Sequence, residues 1–320
     1  MEKEKIDYEM QDSNNSGISV IDLINYKIFL VILIIFAIPF LFYVLSINQI
    51  PIASAVTSGQ SDTTTKLNNF LIASVHTEKG VSKLHIPLSK LLFNVTINFY
   101  PDGNFKSLKM GLKPNLSSFY KKAAFPTKSQ NAVFVYPIFT QAAYGSNGFY
   151  SYYHKNCDVS CLTVSIPHNA KGGTYSSSID AAFVLTLLNY SHITDIDIDK
   201  NPDILKKFDK VIIMHNEYVT QKEFDAITNH PNVVYLFPNA LYAKVTTNYQ
   251  QDSITLVRGH GYPDKTISNG FGWENDNSKY EYNFKCHSWK FYSTTNGKML
   301  NCYPDYRVLY DDMLLLAIKN

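Results

Sequence analysis

Short apolar runs alternate with amphipathic segments between residues 129 and 265. Four runs are nearly continuous in apolar side chains, which is typical of strands buried on both faces. These predicted strands cover residues 132–138, 193–198, 210–214 and 232–237. The helical patterns between them cover residues 176–188, a short segment from residue 201, and residues 220–230. This alternation predicts a doubly wound α/β domain with a mostly parallel sheet.

Local signals mark where two of these helices begin. Asn201 followed by Pro202 combines an N-cap residue with a proline in the first helical turn. Thr220 with Glu223 three positions later matches a capping box. Both signals support the division of the chain into alternating strands and helices.

A segment without charged residues precedes this domain, at residues 28–47. About 20 such residues cross a hydrocarbon core about 30 Å thick, so the segment predicts a transmembrane helix. Lys3, Lys5 and Lys27 come before it, and the positive-inside rule then places the N terminus in the cytoplasm and the body outside the cell membrane. The alternative is a cleaved signal peptide with an A-x-A pattern at residues 53–55. Both interpretations export the body.

The remaining regions differ in composition. Alternating apolar positions at residues 93–99 and a turn at 101–104 indicate a small β-rich unit. We therefore expect a cytoplasmic tail (1–27), the membrane helix (28–47), a polar linker (48–66), the β-rich unit (67–128), the α/β domain (129–265) and an aromatic-rich C-terminal lobe (266–320).

Composition excludes some classes of protein. Hydrophobic residues make up 45% and charged residues 18%, which is typical of a chain that folds rather than of a disordered one. The net charge is only +2, without a basic run, so nucleic acid is not an expected partner. No nucleotide cofactor is expected.

The four cysteines form two local pairs in the sequence. Cys157 and Cys161 are four residues apart, and Cys286 and Cys302 sixteen apart. In an oxidising compartment, two local disulfides are the simplest of the three possible pairings. Zinc is the alternative, but neither spacing matches a zinc site.

Three N-x-S/T sequons lie in the exported part of the chain, at Asn94, Asn115 and Asn189. They are candidate glycosylation sites of a surface protein.

In doubly wound sheets, ligands bind beyond the carboxyl ends of the strands, here just past Ile138, Met214 and Phe237. His215 and Glu217 follow one of these ends and are two residues apart in an extended segment. Their side chains therefore leave the backbone on the same side. An imidazole and a carboxylate together suit a transition metal, and the alternative is a structural hydrogen-bonded pair.

These residues also carry a resemblance. HNEYVT at residues 215–220, followed by VVYLFPNALYAKV at 233–245, resembles the C-terminal-domain signature of the N,N-dimethylformamidase beta (large) subunit-like family. TQAAY at 140–144 resembles the strand-end segment of that family, and GSNG at 145–148 follows it as a loop. The resemblance covers residues 130 to 265 and implies a flavodoxin-like, class I glutamine amidotransferase-like fold.

The resemblance implies a mononuclear ferric site that acts as a Lewis acid on an amide carbonyl or on water. Its ligands in this chain would be Tyr144, His215 and Glu217, with Tyr136 as the substitute for Tyr144. A phenolate, an imidazole and a carboxylate suit Fe(III) and leave positions open for water and substrate. The implied substrate is a small amide.

The chain departs from the family pattern at three places. Val219 replaces a tryptophan, Phe237-Pro238 replaces paired glycines, and residues 230–232 replace another glycine pair. A glycine turn lets the backbone approach a ligand closely, whereas Phe-Pro does not. Two functions therefore stay open: a metal-dependent hydrolase of small amides, and a non-catalytic surface module that keeps the α/β scaffold.

Further candidates lie outside this pattern. No cysteine occurs between Leu162 and Lys285, so the chain lacks the nucleophile of glutamine amidotransferases. His260, within Gly-His-Gly, is a candidate acid, base or additional ligand, and the alternative is a simple turn histidine. Glu274 in the C-terminal lobe is a candidate carboxylate to hydrogen-bond the ligand residues from behind.

Overall fold

The computed structural model describes residues 70–77, 80–101, 105–125, 131–167 and 178–320. The predicted cytoplasmic tail, membrane helix and linker lie outside these residues. Among the residues that are described, no helix is long and apolar enough to cross a membrane. Among the described residues, 98–101 and 105–107 are assigned to one compact unit, and the other described residues to a second. The main sheet and the candidate site belong to the second unit.

The described N-terminal part is built from hairpins. Strands β1 (Phe70–Thr77) and β2 (Gly80–Pro87) pair antiparallel, β3 (Phe93–Phe99) and β4 (Phe105–Leu112) form another two-stranded sheet, and α1 (Ser117–Ala123) follows. Leu91, Phe93 and Tyr120 belong to the same buried cluster as the α/β core. The Leu92 amide also donates to the Leu309 carbonyl at 2.8 Å.

The α/β part contains ten strands and six helices in the described residues. The strands are β5 (Ala132–Tyr136), β6 (Thr163–Ser165), β7 (Ser191–Thr194), β8 (Lys210–Ile213), β9 (Tyr218–Val219), β10 (Val233–Tyr235), β11 (Ala243–Asn248), β12 (Ser253–Arg258), β13 (Phe291–Thr294) and β14 (Gly297–Leu300). The helices are α2 (Ile138–Ala143), α3 (Phe149–Tyr153), α4 (Ile179–Leu187), α5 (Asp195–Lys200), α6 (Gln221–Thr228) and α7 (Asp312–Lys319).

The main sheet has six strands in the order β13-β14-β10-β8-β5-β7. All neighbours pair parallel except β13 with β14, which form an antiparallel edge. The prediction of an α/β fold with a mostly parallel sheet is therefore confirmed. The C-terminal lobe supplies β13 and β14, so part of this lobe completes the sheet.

Both faces of the sheet are buried, as the continuous apolar runs predict. On β5, Val133 and Val135 face one core cluster, whereas Phe134 and Tyr136 face the other. This alternation follows from the two-residue period of a strand. All five residues of β5 and all four of β8 are buried.

The structure confirms the predicted start of one helix and corrects the predicted end of one strand. Thr220 and Glu223 form the predicted capping box at the start of α6. The strand predicted over residues 193–198 is wrong in its second half, because β7 ends at Thr194 and α5 begins at Asp195. Thr194 caps that helix in a capping box with Asp197, and these local hydrogen bonds prevail over the β-branched composition.

Candidate functional site

The candidate site lies at the point where the strand order of the main sheet reverses. From β5 the chain crosses to β7 on one side and then returns to β8 on the other side of β5. The carboxyl ends of β5 and β8 therefore lie at the topological switch point, which is where doubly wound sheets bind ligands. Tyr144 follows β5 through α2, and His215 follows β8 directly.

Hydrogen bonds fix the segment after β8. The amide of His215 donates to Oγ of Ser178 at 3.0 Å, and Ser178 adopts a left-handed backbone with φ of 49°. The side chain of Asn216 turns back, and its Oδ1 accepts from the Met214 amide at 3.0 Å. The Glu217 carbonyl accepts hydrogen bonds from two backbone amides at the start of β11. The backbone beneath the His-x-Glu pair is thus held from both sides.

His215, Glu217 and Tyr144 meet at one oxygen atom. The hydroxyl of Tyr144 donates to Glu217 Oε2 at 2.7 Å, and His215 Nε2 lies 3.4 Å from the same oxygen. His215 and Glu217 are both 0% exposed. The hydroxyl of Tyr136 instead donates to Gln141 Oε1 at 3.2 Å. Of the two predicted tyrosines, Tyr144 is thus hydrogen-bonded to Glu217.

Two distances describe the spacing of these three side chains. Transition-metal ions such as zinc bind oxygen and nitrogen ligands at about 2.0–2.2 Å. Two ligand atoms on the same ion therefore lie about 3 Å apart. The distances around Glu217 Oε2, 2.7 and 3.4 Å, are compatible with this spacing. No group of three His, Cys, Asp or Glu side chains in the described part of the chain is arranged to hold a metal.

Burial and charge set the ionisation of these groups. Burial raises the pKa of Glu217, but the hydrogen bond and charge of His215 and the charge of His260 outweigh it and hold this pKa below its usual range. Burial, followed by the charge of Glu217, holds the pKa of Tyr144 well above its usual range. Without a metal, Glu217 is a carboxylate that accepts a hydrogen bond from the neutral phenol of Tyr144. A bound cation would favour the phenolate.

A chain of hydrogen bonds leads from the Glu217 carboxylate towards solvent. Tyr150, on α3, donates its hydroxyl hydrogen to the Tyr144 hydroxyl at 2.7 Å. Nε2 of His260 lies 3.0 Å from the Tyr150 hydroxyl and 3.7 Å from Glu217 Oε1. Since the Tyr150 hydrogen points to Tyr144, Nε2 of His260 is the donor in this chain. The side chain of His260 is 30% exposed, so the chain joins a buried carboxylate to an accessible imidazole.

The Gly-His-Gly segment presents His260 to this chain. His260 has φ of 56°, between Gly259 at 107° and Gly261 at 75°. A β-carbon on Gly259 would lie 2.9 Å from the backbone nitrogen of Gly270, so this position needs glycine for space as well as for conformation. The imidazole stacks on the ring of Tyr153 at 4.6 Å. His260 is thus held in one orientation by its neighbours.

The C-terminal lobe contributes residues that the sequence did not single out. The hydroxyl of Tyr303 lies 3.2 Å from Nδ1 of His215 and is therefore placed to fix the orientation of that ring. Glu281 accepts a 2.7 Å hydrogen bond from Nδ2 of Asn239. Glu274, the candidate carboxylate behind the ligand residues, is exposed. In this lobe the sequence points to Glu274 and to the cysteine pair, whereas the aromatic-rich composition does not identify Tyr303.

Phe237 occupies space beside His215. Its ring stacks on the imidazole at 5.9 Å with an angle of 26°, and it contacts Tyr303 edge-on at 4.9 Å. Phe237 is 0% exposed. Phe237 therefore covers one face of the His215 imidazole.

Both predicted disulfides are present, Cys157–Cys161 and Cys286–Cys302. All four cysteine sulfurs are in disulfide bonds, so none of them is a free thiolate that could bind zinc. The three sequon asparagines, Asn94, Asn115 and Asn189, are all exposed. Their exposure is compatible with glycosylation.

No protein-family model matches the chain. The comparison with curated proteins also gives no match.

Proposed function

We propose that the protein is a membrane-anchored, extracytoplasmic hydrolase of small amides, related to the dimethylformamidase beta-subunit-like family. The observation that supports it most is the convergence of Tyr144 and His215 on Glu217 Oε2, at the topological switch point where α/β sheets bind ligands. Three residues from two distant segments form this group. The two disulfides and the exposed sequons support export to an oxidising compartment.

Tyr144, His215 and Glu217 would hold a ferric ion. Fe(III) supplies Lewis acidity, which polarises an amide carbonyl and acidifies water. The residues around it hold the ligands in place. Tyr150 donates to the Tyr144 oxygen, and Tyr303 lies next to the second nitrogen of His215. Such partners orient ligands and adjust their basicity.

His260 is the proton carrier of this proposal. Its Nε2–H would deliver a proton to the leaving nitrogen, and the proton of the attacking water would then restore the hydrogen on Nε2. A carbon–oxygen bond forms, the carbon–nitrogen bond breaks, and the products are a carboxylic acid and an amine. The acid then passes its proton to the amine, so the proton count balances.

The experiment is iron analysis and absorption spectroscopy on the purified full-length chain produced with iron in the medium. We expect near-stoichiometric iron and a tyrosinate-to-iron band, both lost in His215→Ala/Glu217→Ala. His192→Ala/Glu274→Ala is the matched control, because it removes the same residue types at exposed positions and is expected to keep the iron. A folded wild type that contains no iron would overturn the proposal.

A second candidate is a non-catalytic surface module, and the position of Phe237 favours it. The ring fills space next to His215 that a glycine would leave open. Phe237→Gly distinguishes the two functions in the same assay. A gain of iron in this variant over an iron-free wild type would identify a scaffold whose site has closed.

A further inference from the structure

The side chain of Tyr153 points its hydroxyl into the protein. Tyr153 is the last residue of α3 and is only half-buried, yet its hydroxyl oxygen is buried and makes no hydrogen bond with any described residue. The ring stacks on the imidazole of His260, with 4.6 Å between the ring centres. A hydroxyl in this position has lost water without gaining a protein partner, which is unfavourable unless a ligand supplies one.

Tyr218 carries a second hydroxyl of the same kind. The residue follows Glu217 directly and is 0% exposed. Its amide donates to Oγ1 of Thr140 at 3.1 Å, whereas its hydroxyl has no hydrogen-bond partner in the described part of the chain. The ring lies nearly parallel to the imidazole of His260, at an angle of 13° and with 6.4 Å between the ring centres. The rings of Tyr153 and Tyr218 therefore both lie beside His260.

Two further tyrosines near Glu217 already use their hydroxyl hydrogens. Tyr144 donates to Glu217 Oε2 at 2.7 Å, and Tyr150 donates to the Tyr144 hydroxyl at 2.7 Å. Among these four tyrosines, Tyr153 and Tyr218 are therefore the ones whose O–H groups a ligand would find available.

Both of these hydroxyls keep their protons at neutral pH. Burial, followed by the charge of Glu217, raises the pKa of Tyr153. Burial, followed by the electrostatic effect of Tyr150 and Glu217, holds the pKa of Tyr218 well above its usual range. A neutral phenol donates its hydrogen to an oxygen acceptor. The carbonyl oxygen is the acceptor that every amide carries, including an N,N-dialkyl amide, which has no N–H group of its own.

We propose that the hydroxyls of Tyr153 and Tyr218 donate to the carbonyl oxygen of a bound amide and stabilise the negative charge that this oxygen gains when water attacks. This inference rests on the proposed amide hydrolase. When the water oxygen bonds to the carbonyl carbon, the π electron pair moves to the carbonyl oxygen, and both phenols keep their protons. Because the two hydrogen bonds strengthen as the charge develops, they favour the transition state over the bound substrate.

The experiment compares the full-length wild type with Tyr153→Phe and Tyr218→Phe in the hydrolysis of N,N-dimethylacetamide. Loss of one donor to a developing oxyanion typically lowers kcat about 100–1,000-fold. We expect that loss in each variant, with a much smaller rise in KM and an unchanged iron content. Tyr152→Phe, on the same helix, is the matched control and is expected to keep kcat, because its ring packs edge-on against Tyr262. Wild-type kcat in both site variants would overturn the inference and leave the hydrolase standing.

A second measurement needs neither hydrolysis nor iron. After treatment with a chelator, the wild type is titrated by ligand-observed NMR with N,N-dimethylacetamide and with N,N-dimethylthioacetamide, whose sulfur is a poor hydrogen-bond acceptor. We expect the oxygen compound to bind at least about tenfold more tightly, and the two phenylalanine variants to lose this preference.

Equal binding of both probes to the wild type, or no binding of either, would overturn the inference even if a variant does not fold. The outcome is separate from that of the proposed function. A preference for the oxygen compound in a protein without iron or hydrolysis, lost in the variants, would support the donor pair and refute the hydrolase.

Discussion

The hydroxyl of Tyr144 lies 2.7 Å from Oε2 of Glu217, although 73 residues separate them in the chain. Because Glu217 is fully buried, this hydrogen bond and the nearby imidazole of His215 stabilise its charge in place of water. The contact joins the segments that follow two neighbouring strands. It therefore links the stability of this part of the fold to the chemistry proposed there.

Tyr144→Phe removes this bond and keeps the ring. Because a hydrogen bond to a charged group contributes about 1.5–3 kcal/mol, we expect the free energy of unfolding to fall by about that amount. Iron content and the tyrosinate band should fall as well. Chemical denaturation and absorption spectra measure both effects. Tyr153→Phe is the control, since the Tyr153 hydroxyl is buried without a hydrogen bond in the described residues; an equal loss of iron there would contradict the assignment of Tyr144.

Tyr303→Phe removes the hydroxyl that lies 3.2 Å from Nδ1 of His215. Loss of a partner that orients a metal ligand typically costs about 10–100-fold in metal affinity, and we expect a loss in that range. Iron titration measures it. Tyr292→Phe serves for comparison, because its hydroxyl contacts Met299 rather than the site. Unchanged affinity in Tyr303→Phe would mean that Tyr303 only fills space.

Removal of each of the two disulfides should lower the free energy of unfolding by a different amount. Cys286–Cys302 closes a loop of sixteen residues and is adjacent to Tyr303, whereas Cys157–Cys161 closes one of four. In the loop-entropy description, removal of the longer bridge by serine costs about 3 kcal/mol and removal of the shorter about 2 kcal/mol. Thermal denaturation of the two double variants tests this order. Only loss of the longer bridge should also weaken iron binding, and the reverse result would contradict the role of Tyr303.

Stability should fall with rising pH because of the carboxyl groups of Asp180, which is buried, and Asp305, which is partly buried. Burial raises the pKa of Asp305 from 3.8 to about 7, and burial with the charge of Asp305 raises the pKa of Asp180 well above its usual range. The folded protein then holds a proton that the unfolded chain releases above about pH 4. The contribution of Asp305 to stability is therefore full below that pH and is lost as the pH rises to about 7.

Asp305→Asn should flatten this dependence, since an amide does not titrate. Melting temperatures of wild type and variant between pH 4 and 8 test the prediction. The exposed Asp203 provides the comparison, and Asp203→Asn should leave the slope unchanged. A wild type whose melting temperature rises between pH 4 and 7, with Asp305→Asn following the same slope, would show that the pair does not titrate in this way.

Features that depend on nearby residues could be predicted from the sequence. The α/β class follows from the spacing of apolar runs, and the start of α6 follows from Thr220 and Glu223, three positions apart. Both disulfides join cysteines that are close in sequence, so proximity alone favours them. The end of β7 was missed, because Thr194 and Asp197 begin a helix within an apolar pattern that also suits a strand.

The partners of the candidate site were decided by the tertiary structure. The chain contains 23 tyrosines, and sequence alone does not say which of them reaches Glu217. Tyr303 meets His215 across 88 residues, and Asn239 meets Glu281 across 42. Periodicity and capping act within a few residues, whereas these contacts depend on strand order and on how the C-terminal lobe packs. The sequence by itself therefore determined the scaffold and the His215–Glu217 pair, and the fold determined what surrounds them.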